Sequence, residues 1–296
     1  MAVDRRTALK GMMAAGAAAF VGDGALSARE RKKPPEDAVG MLYDASLCIG
    51  CKTCVVACKE ANGLPPDTTH LGGGVYDLPN DLSDTTKNII KLYKDGDKIS
   101  YMKAQCMHCV DPACVNACML GSLQKREHGV VTWDGDRCTG CRYCGIACPY
   151  GVPRYEYHKA WPRVIKCEMC ATRKDKPFQP ACCEVCPRHA VIFGKYADLV
   201  AEAKKRLAEN PDRYYPKVFG LEDGGGTQVL YLSKAGISFQ DLGLPDLGVA
   251  PVAEVQQTIQ HALYQGAVAP VALFAVFGAV MWRNKRAAEK AGEDKP

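Results

Sequence analysis

No cysteine in this 296-residue chain stands outside four short groups, although there are seventeen of them. Other absences bound the chemistry. No strand-like segment is followed by G-x-G-x-x-G, and Gly224-Gly225-Gly226-Thr227 is a loop with no helix signal after it, so no phosphate cradle is read. No acid–base pair and no nucleophile with a partner base can be picked out, so the sequence offers no catalytic residue. The net charge of +5 is dispersed, with residues 1–28 carrying +1 and residues 283–296 carrying +2. A nucleic-acid partner needs a concentrated basic face and is therefore not expected. Charge is also missing for 21 positions, from Ala262 to Trp282.

The cysteines carry the positive information. They stand at Cys48, Cys51, Cys54 and Cys58; at Cys106, Cys109, Cys114 and Cys118; at Cys138, Cys141, Cys144 and Cys148; and at Cys167, Cys170, Cys182, Cys183 and Cys186. Disulfides fit poorly, because the total is odd and sulfurs two residues apart on a tight loop point to one centre. Structural zinc takes four thiolates but usually joins two separate C-x2-C knuckles. Groups one and three are instead C-x2-C-x2-C-x3-C. Three sulfurs of such a run wrap one corner of a cube, and the fourth is aimed at another, as in bacterial ferredoxins. Cys148 and Cys186 are each followed by proline, as in that run. Groups two and four have internal steps of x4 and x11 but end on the same x3 step. That step selects Cys182 and leaves Cys183 as a spare thiol, packed as a small apolar side chain. Sixteen thiolates serve four 4Fe–4S clusters.

Both ends of the chain read as transport and membrane segments. Arg5-Arg6, an apolar run from Gly11 to Gly22 and Ala25-x-Ser27 resemble a twin-arginine export signal over residues 1–28. The charge-free stretch 262–282 is long enough for about 30 Å of helix, which predicts a transmembrane helix. Tyr264 and Trp282 sit at its margins, and Arg283, Lys285 and Arg286 follow, which places residues 283–296 in the cytoplasm.

The fold expected is α+β, with two ferredoxin-like 4Fe–4S modules, one inserted in the other. The first comprises residues 41–64 and 160–195, the second residues 100–157, with 65–99 as a surface insertion without periodicity. Spacing alone also permits groups one and two to pair, and three and four. Val130–Trp133 and Ala190–Phe193 read as short closing strands. Residues 196–209 place Leu199, Val200, Ala203 and Leu207 on one face of an amphipathic helix. Residues 210–260 are rich in Pro and Gly and predict an extended arm. His108 reads as a packing or hydrogen-bonding residue, and His261 as an interfacial one. Lys59, Arg142 and Lys166 adjoin cluster cysteines, where positive charge raises a reduction potential.

Together these residues resemble the four-cluster ferredoxin-like iron–sulfur subunits of respiratory oxidoreductases, and within them the iron–sulfur subunit of hydrogenase-2-type complexes. The resemblance lies in "GMLYDASLCIGCKTCVVAC", "KAQCMHCVDPACVNAC", "CTGCRYCGIACPYGVPRYEY", "CCEVCPRHAVIFG", "AEAKKRLAENP" and "VFGLEDGGGTQVLYL". It runs over residues 1–286. Met119 stands where such subunits often have proline, and Cys183 where they usually have an apolar residue; neither removes a ligand. The resemblance implies Cys48, Cys51, Cys54 and Cys186 on one cluster, and Cys58, Cys167, Cys170 and Cys182 on the next. It implies Cys106, Cys109, Cys114 and Cys148 on a third, and Cys118, Cys138, Cys141 and Cys144 on a fourth. It further implies a non-catalytic electron relay at the periplasmic face of the bacterial inner membrane. The relay would run from the large and small subunits of a NiFe hydrogenase to an integral membrane subunit that reduces quinone. The alternatives are the equivalent subunit of a formate dehydrogenase or molybdopterin oxidoreductase, or a non-redox anchoring or assembly protein.

Overall fold

The computed structural model describes residues 31–67, 78–173 and 178–293, with the backbone alone for 254–265, 268–269, 288 and 290–293. The expected export signal, Gly72–Gly74 and the side chain of His261 lie outside the described residues. The chain forms two units, and Arg31–Ala253 is the one that carries the cysteines.

The body begins with β1 (Val39–Asp44) and α1 (Thr53–Ala61). A hairpin of β2 (Ile89–Asp95) and β3 (Lys98–Ala104) follows. Next come α2 (Ala113–Asn116), β4 (Leu123–Lys125), β5 (Val131–Trp133) and α3 (Tyr143–Ala147). The short pair β6 (Arg154–Tyr155) and β7 (Val164–Ile165) leads to α4 (Ala181–Glu184) and β8 (Val191–Lys195). The order ends with α5 (Tyr196–Glu209), β9 (Val229–Leu232) and α6 (Ala253–Glu293).

The central sheet has the order β8-β1-β9, with β1 antiparallel to β8 and parallel to β9. Side chains alternate across a strand, so β1 serves two cores. Leu42 joins Leu199, Ala203, Leu230 and Leu232 under α5. Met41 and Tyr43 face the other way, toward Cys54, Cys182, Val229 and Tyr231. The amphipathic helix lies where its periodicity places it, because burying Leu199 and Ala203 requires an apolar sheet face. Gly40 lets it approach: a Cβ there would collide with the Gln228 carbonyl and press on Tyr196 and Leu199. Arg206 and the Tyr214 hydroxyl both donate to the fully buried Asp44 carboxylate, at 3.2 and 2.8 Å.

Elsewhere α1 packs against α4, and α2 against α3. These helices span between four and nine residues, too short to be stable in isolation. Their packing brings the first cysteine group to the fourth, and the second to the third.

Three expectations need correction. Residues 65–99 are not without structure: β2 takes the last of them, burying Ile89 and Ile90, and Gly96 at φ +54° makes the two-residue turn into β3. Residues 210–253 are not an extended arm. Tyr214, Phe219, Tyr231, Ile237 and Phe239 are buried in the core, with the Phe219 and Phe239 rings 5.2 Å apart. The glycines of this segment, at positive φ at 220, 224, 225, 226, 236 and 243, turn it back on the body so that β9 pairs with β1. Finally, residues 262–282 lie inside the 41-residue helix α6, but among the described residues no helix is long and apolar enough to cross a membrane.

Candidate metal centres

Each cysteine group is built on the same backbone turn. The residue before the second cysteine is left-handed in all four: Gly50 and Gly140 at φ +72°, His108 at +46° and Met169 at +48°. Glycine adopts this conformation freely, whereas other residues incur about 1–2 kcal/mol. Full burial of the His108 and Met169 side chains holds the strained turns in place. The turn repeats at Lys52 and Arg142, the left-handed caps of α1 and α3. It repeats again three residues beyond a group's last cysteine, at Gly121, Gly151 and His189. The amide that follows is thereby aimed at sulfur: Ser122 N–H donates to Cys118 Sγ and Ala190 N–H to Cys186 Sγ, both at 3.2 Å.

The sulfurs gather across the chain, not within each group. Cys48, Cys51, Cys54 and Cys186 line one cavity, together with Tyr43, Lys103 and Val191. Cys118, Cys138, Cys141 and Cys144 line another, with Leu123, Trp133 and Tyr155. Cys109 is surrounded by Cys106, Cys114 and Cys148. Cys58 faces Cys182 and Cys170, and Cys167 faces Cys58 and Cys182. Neighbouring quartets also touch electrostatically. Cys182 acts on Cys54, Cys106 on Cys167, and Cys144 on Cys114. The four quartets therefore form one row. Its ends include the exposed Cys51 and Cys141, while Cys58, Cys106, Cys114, Cys167 and Cys182 are buried between them.

Cys183 stands beside this row. Its thiol donates a hydrogen bond to Cys182, which lowers the Cys182 pKa to about 6 and pushes its own well up. Cys183 is a hydrogen-bond donor as well as packing, a role the sequence alone did not suggest.

Whether an iron–sulfur group fits can be judged from the donors. Burial, and then neighbouring thiolates, push Cys58 up to about 12 and Cys109 and Cys167 well above the usual thiol range. Burial likewise pushes Cys54 up to about 11 and Cys114 up to about 12, with Lys103 and Lys166 respectively opposing. Such thiols ionise together only around a strongly cationic core. The donor set is sulfur throughout, backbone amides point at it, and two of the quartets ring cavities. Among the described residues no three His, Cys, Asp or Glu side chains converge tightly enough to hold a single ion. A cubic cluster satisfies all of these features.

The charged residues sort differently from their sequence positions. Lys59 Nζ donates to Asp67 at 2.8 Å and to the Pro65 and Thr85 carbonyls, so its charge is answered locally. Arg142 lies 4.4 Å over the Tyr157 ring. Lys166 donates to the Val131 and Cys167 carbonyls. Lys125, pushed down to about 8 by burial, reaches the Cys109 carbonyl and Gln228 Oε1. Lys103 was not legible in the sequence: it is fully buried on β3 and faces Cys182, Cys54 and Cys58. A lysine three residues before a cysteine group, in an otherwise half-apolar strand, gives no signal by itself. His108 is fully buried and accepts from Val131 N–H through Nδ1 at 3.0 Å, so its proton is on Nε2, which has no partner among the described residues. Burial, then Lys166 and Lys125, hold its pKa well below the usual histidine value and keep it neutral. The Tyr155 hydroxyl lies 3.1 Å from Cys144 Sγ.

Comparison with known proteins gives a consistent result. Two models of the 4Fe-4S dicluster domain match, over residues 40–119 and 98–196. The chain is 39% identical to the hydrogenase-2 operon protein HybA of Escherichia coli O157:H7, over 90% of this chain and 91% of that protein. It is 37% identical to the iron–sulfur subunit of the nitrate-inducible formate dehydrogenase of Escherichia coli K12, over 66% of this chain and 67% of that one. It is 32% identical to the formate dehydrogenase iron–sulfur subunit of Haemophilus influenzae, over 81% and 77%.

Proposed function

Since the chain belongs to the 4Fe–4S dicluster family of iron–sulfur electron-transfer subunits, non-catalytic members of oxidoreductase complexes, we propose that it conducts electrons from a periplasmic NiFe hydrogenase to a quinone-reducing membrane subunit through four clusters. The row of four thiol quartets with an exposed cysteine at either end carries this reading. The clusters would supply one-electron redox chemistry when bound. The protein's residues do the rest. The sixteen cysteines implied by the family pattern hold the four groups: Cys48, Cys51, Cys54 and Cys186; Cys58, Cys167, Cys170 and Cys182; Cys106, Cys109, Cys114 and Cys148; Cys118, Cys138, Cys141 and Cys144. Buried Met41, Tyr43, Met107, Val130 and Met169 exclude water from the interior of the row. Amides and the Cys183 thiol donate to its sulfurs.

Hydrogenase is preferred as the donor because the similarity to the hydrogenase-2 protein extends over 90% of the chain, whereas that to the nitrate-inducible formate dehydrogenase subunit extends over 66%. Metal analysis tests both points. The isolated chain is expected to carry about sixteen irons, four per cluster, and the copurified complex nickel. Four zinc ions in place of iron would refute the relay, and molybdenum in the complex would move the chain to the formate dehydrogenase branch.

The composition of the two terminal segments supports a site of action at the membrane. Export by the twin-arginine segment would deliver the body to the periplasmic face of the inner membrane. There α6 presents exposed Val271, Phe274, Phe277, Met281 and Trp282, followed by Arg283, Lys285 and Arg286, which suits the edge of a lipid bilayer. Deleting residues 262–296 is expected to move the protein into the soluble fraction when cells are fractionated. A truncated chain that stays with the membrane would assign the attachment to its partners.

A further inference from the structure

We propose that Lys103 is a fixed internal charge that raises the reduction potential of the first two centres of the row; this rests on the electron-relay reading. The side chain is fully exposed to protein and not to solvent. It lines the cavity of Cys48, Cys51, Cys54 and Cys186, and it also faces Cys58 and Cys182 of the second quartet. One ammonium therefore serves two centres.

Its surroundings are built to keep that charge in place and unneutralised. Nζ donates to Asn88 Oδ1 at 2.8 Å, and Asn88 Nδ2 in turn donates to the Cys54 carbonyl at 3.4 Å. The Tyr231 hydroxyl donates to the Lys103 carbonyl at 2.6 Å, which pins the strand. Among the described residues no carboxylate is paired with this ammonium, so the anions it answers are the thiolates. Lys59 provides the contrast: it follows Cys58 directly in sequence and is also buried, but Asp67 at 2.8 Å cancels its charge.

The sign of the effect follows from electrostatics. Reduction adds one electron to a centre already surrounded by four thiolates, so a nearby buried cation favours the reduced form and raises the potential. Such a charge acts strongly because the interior screens it less than water does. Lys103 is a positioning and tuning residue, and it takes no part in electron transfer itself.

The test is a potentiometric titration of the full chain, followed by electron paramagnetic resonance, with iron content measured alongside. Lys103→Met is expected to keep its iron and to lower two of the four midpoint potentials by at least tenfold in the reduction equilibrium, about 59 mV for a one-electron couple. Asn88→Asp, which sets a carboxylate against the ammonium without removing it, is expected to lower the same two. Removing both partners of the neutral pair, Lys59→Met with Asp67→Asn, is expected to leave all four in place. Unmoved potentials in an iron-replete Lys103→Met chain would overturn the proposal, as would a shift confined to the other two centres. Loss of iron from Lys103→Met leaves Asn88→Asp to decide. Loss from both would make the pair structural and end the tuning role. A wild-type chain without iron refutes the relay itself before any variant is compared.

Discussion

Cys54→Ser is expected to cut electron flow from the oxidoreductase partner to its acceptor by more than about 100-fold, the upper range seen when even an outer-shell partner of a metal site is removed. Cys54 occupies the first turn of α1, is buried, and shares a cavity with Cys48, Cys51 and Cys186. It is also the sulfur of the first quartet on which Cys182 of the second acts. A serine keeps the shape, but its hydroxyl does not ionise in that environment and is a poor ligand for iron. The row would then be broken at an end, with about four irons lost. Cys183→Ala is the matched control. It removes a thiol in the same core, yet only the hydrogen bond to Cys182, so iron content and flow are expected to remain near wild type. Assay of electron flow through the copurified complex, alongside iron content, reads both variants. Normal flow in a Cys54→Ser chain that lacks one cluster would make the clusters structural and the protein a scaffold.

Removal of iron is expected to unfold most of the body. Helices α2, α3 and α4 span four or five residues, far below the roughly 12 needed for an isolated helix to persist in water. The paired strands beside them are two or three residues long. Cysteines serve as core residues here: Cys54 and Cys182 in the main cluster, Cys114 and Cys144 in another, Cys106 and Cys167 in a third. Emptied centres would leave cavities in all of these, at roughly 24 cal/mol per Å³. The left-handed turns at His108 and Met169 add a further 1–2 kcal/mol each, on the order of the cost for any non-glycine residue. The sheet β8-β1-β9 under α5 has an apolar core without cysteine on its helix side and is expected to melt last. Anaerobic chelation, followed by visible absorbance and circular dichroism together, measures this: bleaching and loss of the cooperative transition should coincide. A colourless chain that keeps the melting curve of the native protein would show that the fold stands without its metal.

Legibility differed between parts of the chain for identifiable reasons. The amphipathic helix Tyr196–Glu209 was readable because a 3.6-residue period is a local property. The strands at Val131–Trp133 and Val191–Lys195 were readable because β-branched and aromatic runs beside glycine are local too. The β2–β3 hairpin escaped notice, although Asp95-Gly96-Asp97 is a turn signal, because charged residues interrupt its alternation. His108 and Met169 hid a left-handed turn that the glycines of the other two groups display openly.

By itself the sequence determined the chemistry of the sulfurs: spacing of two and three residues bends a short loop so that thiols converge, and no distant contact is needed for that. Tertiary structure decided everything that depends on segments meeting. It folded residues 210–253 back to complete the sheet, lined the quartets up in one row, and placed Lys103 where no carboxylate among the described residues answers it. Each of these is a contact between residues tens of positions apart or more, and burial of a charge is a property of its surroundings, which no single stretch of chain contains.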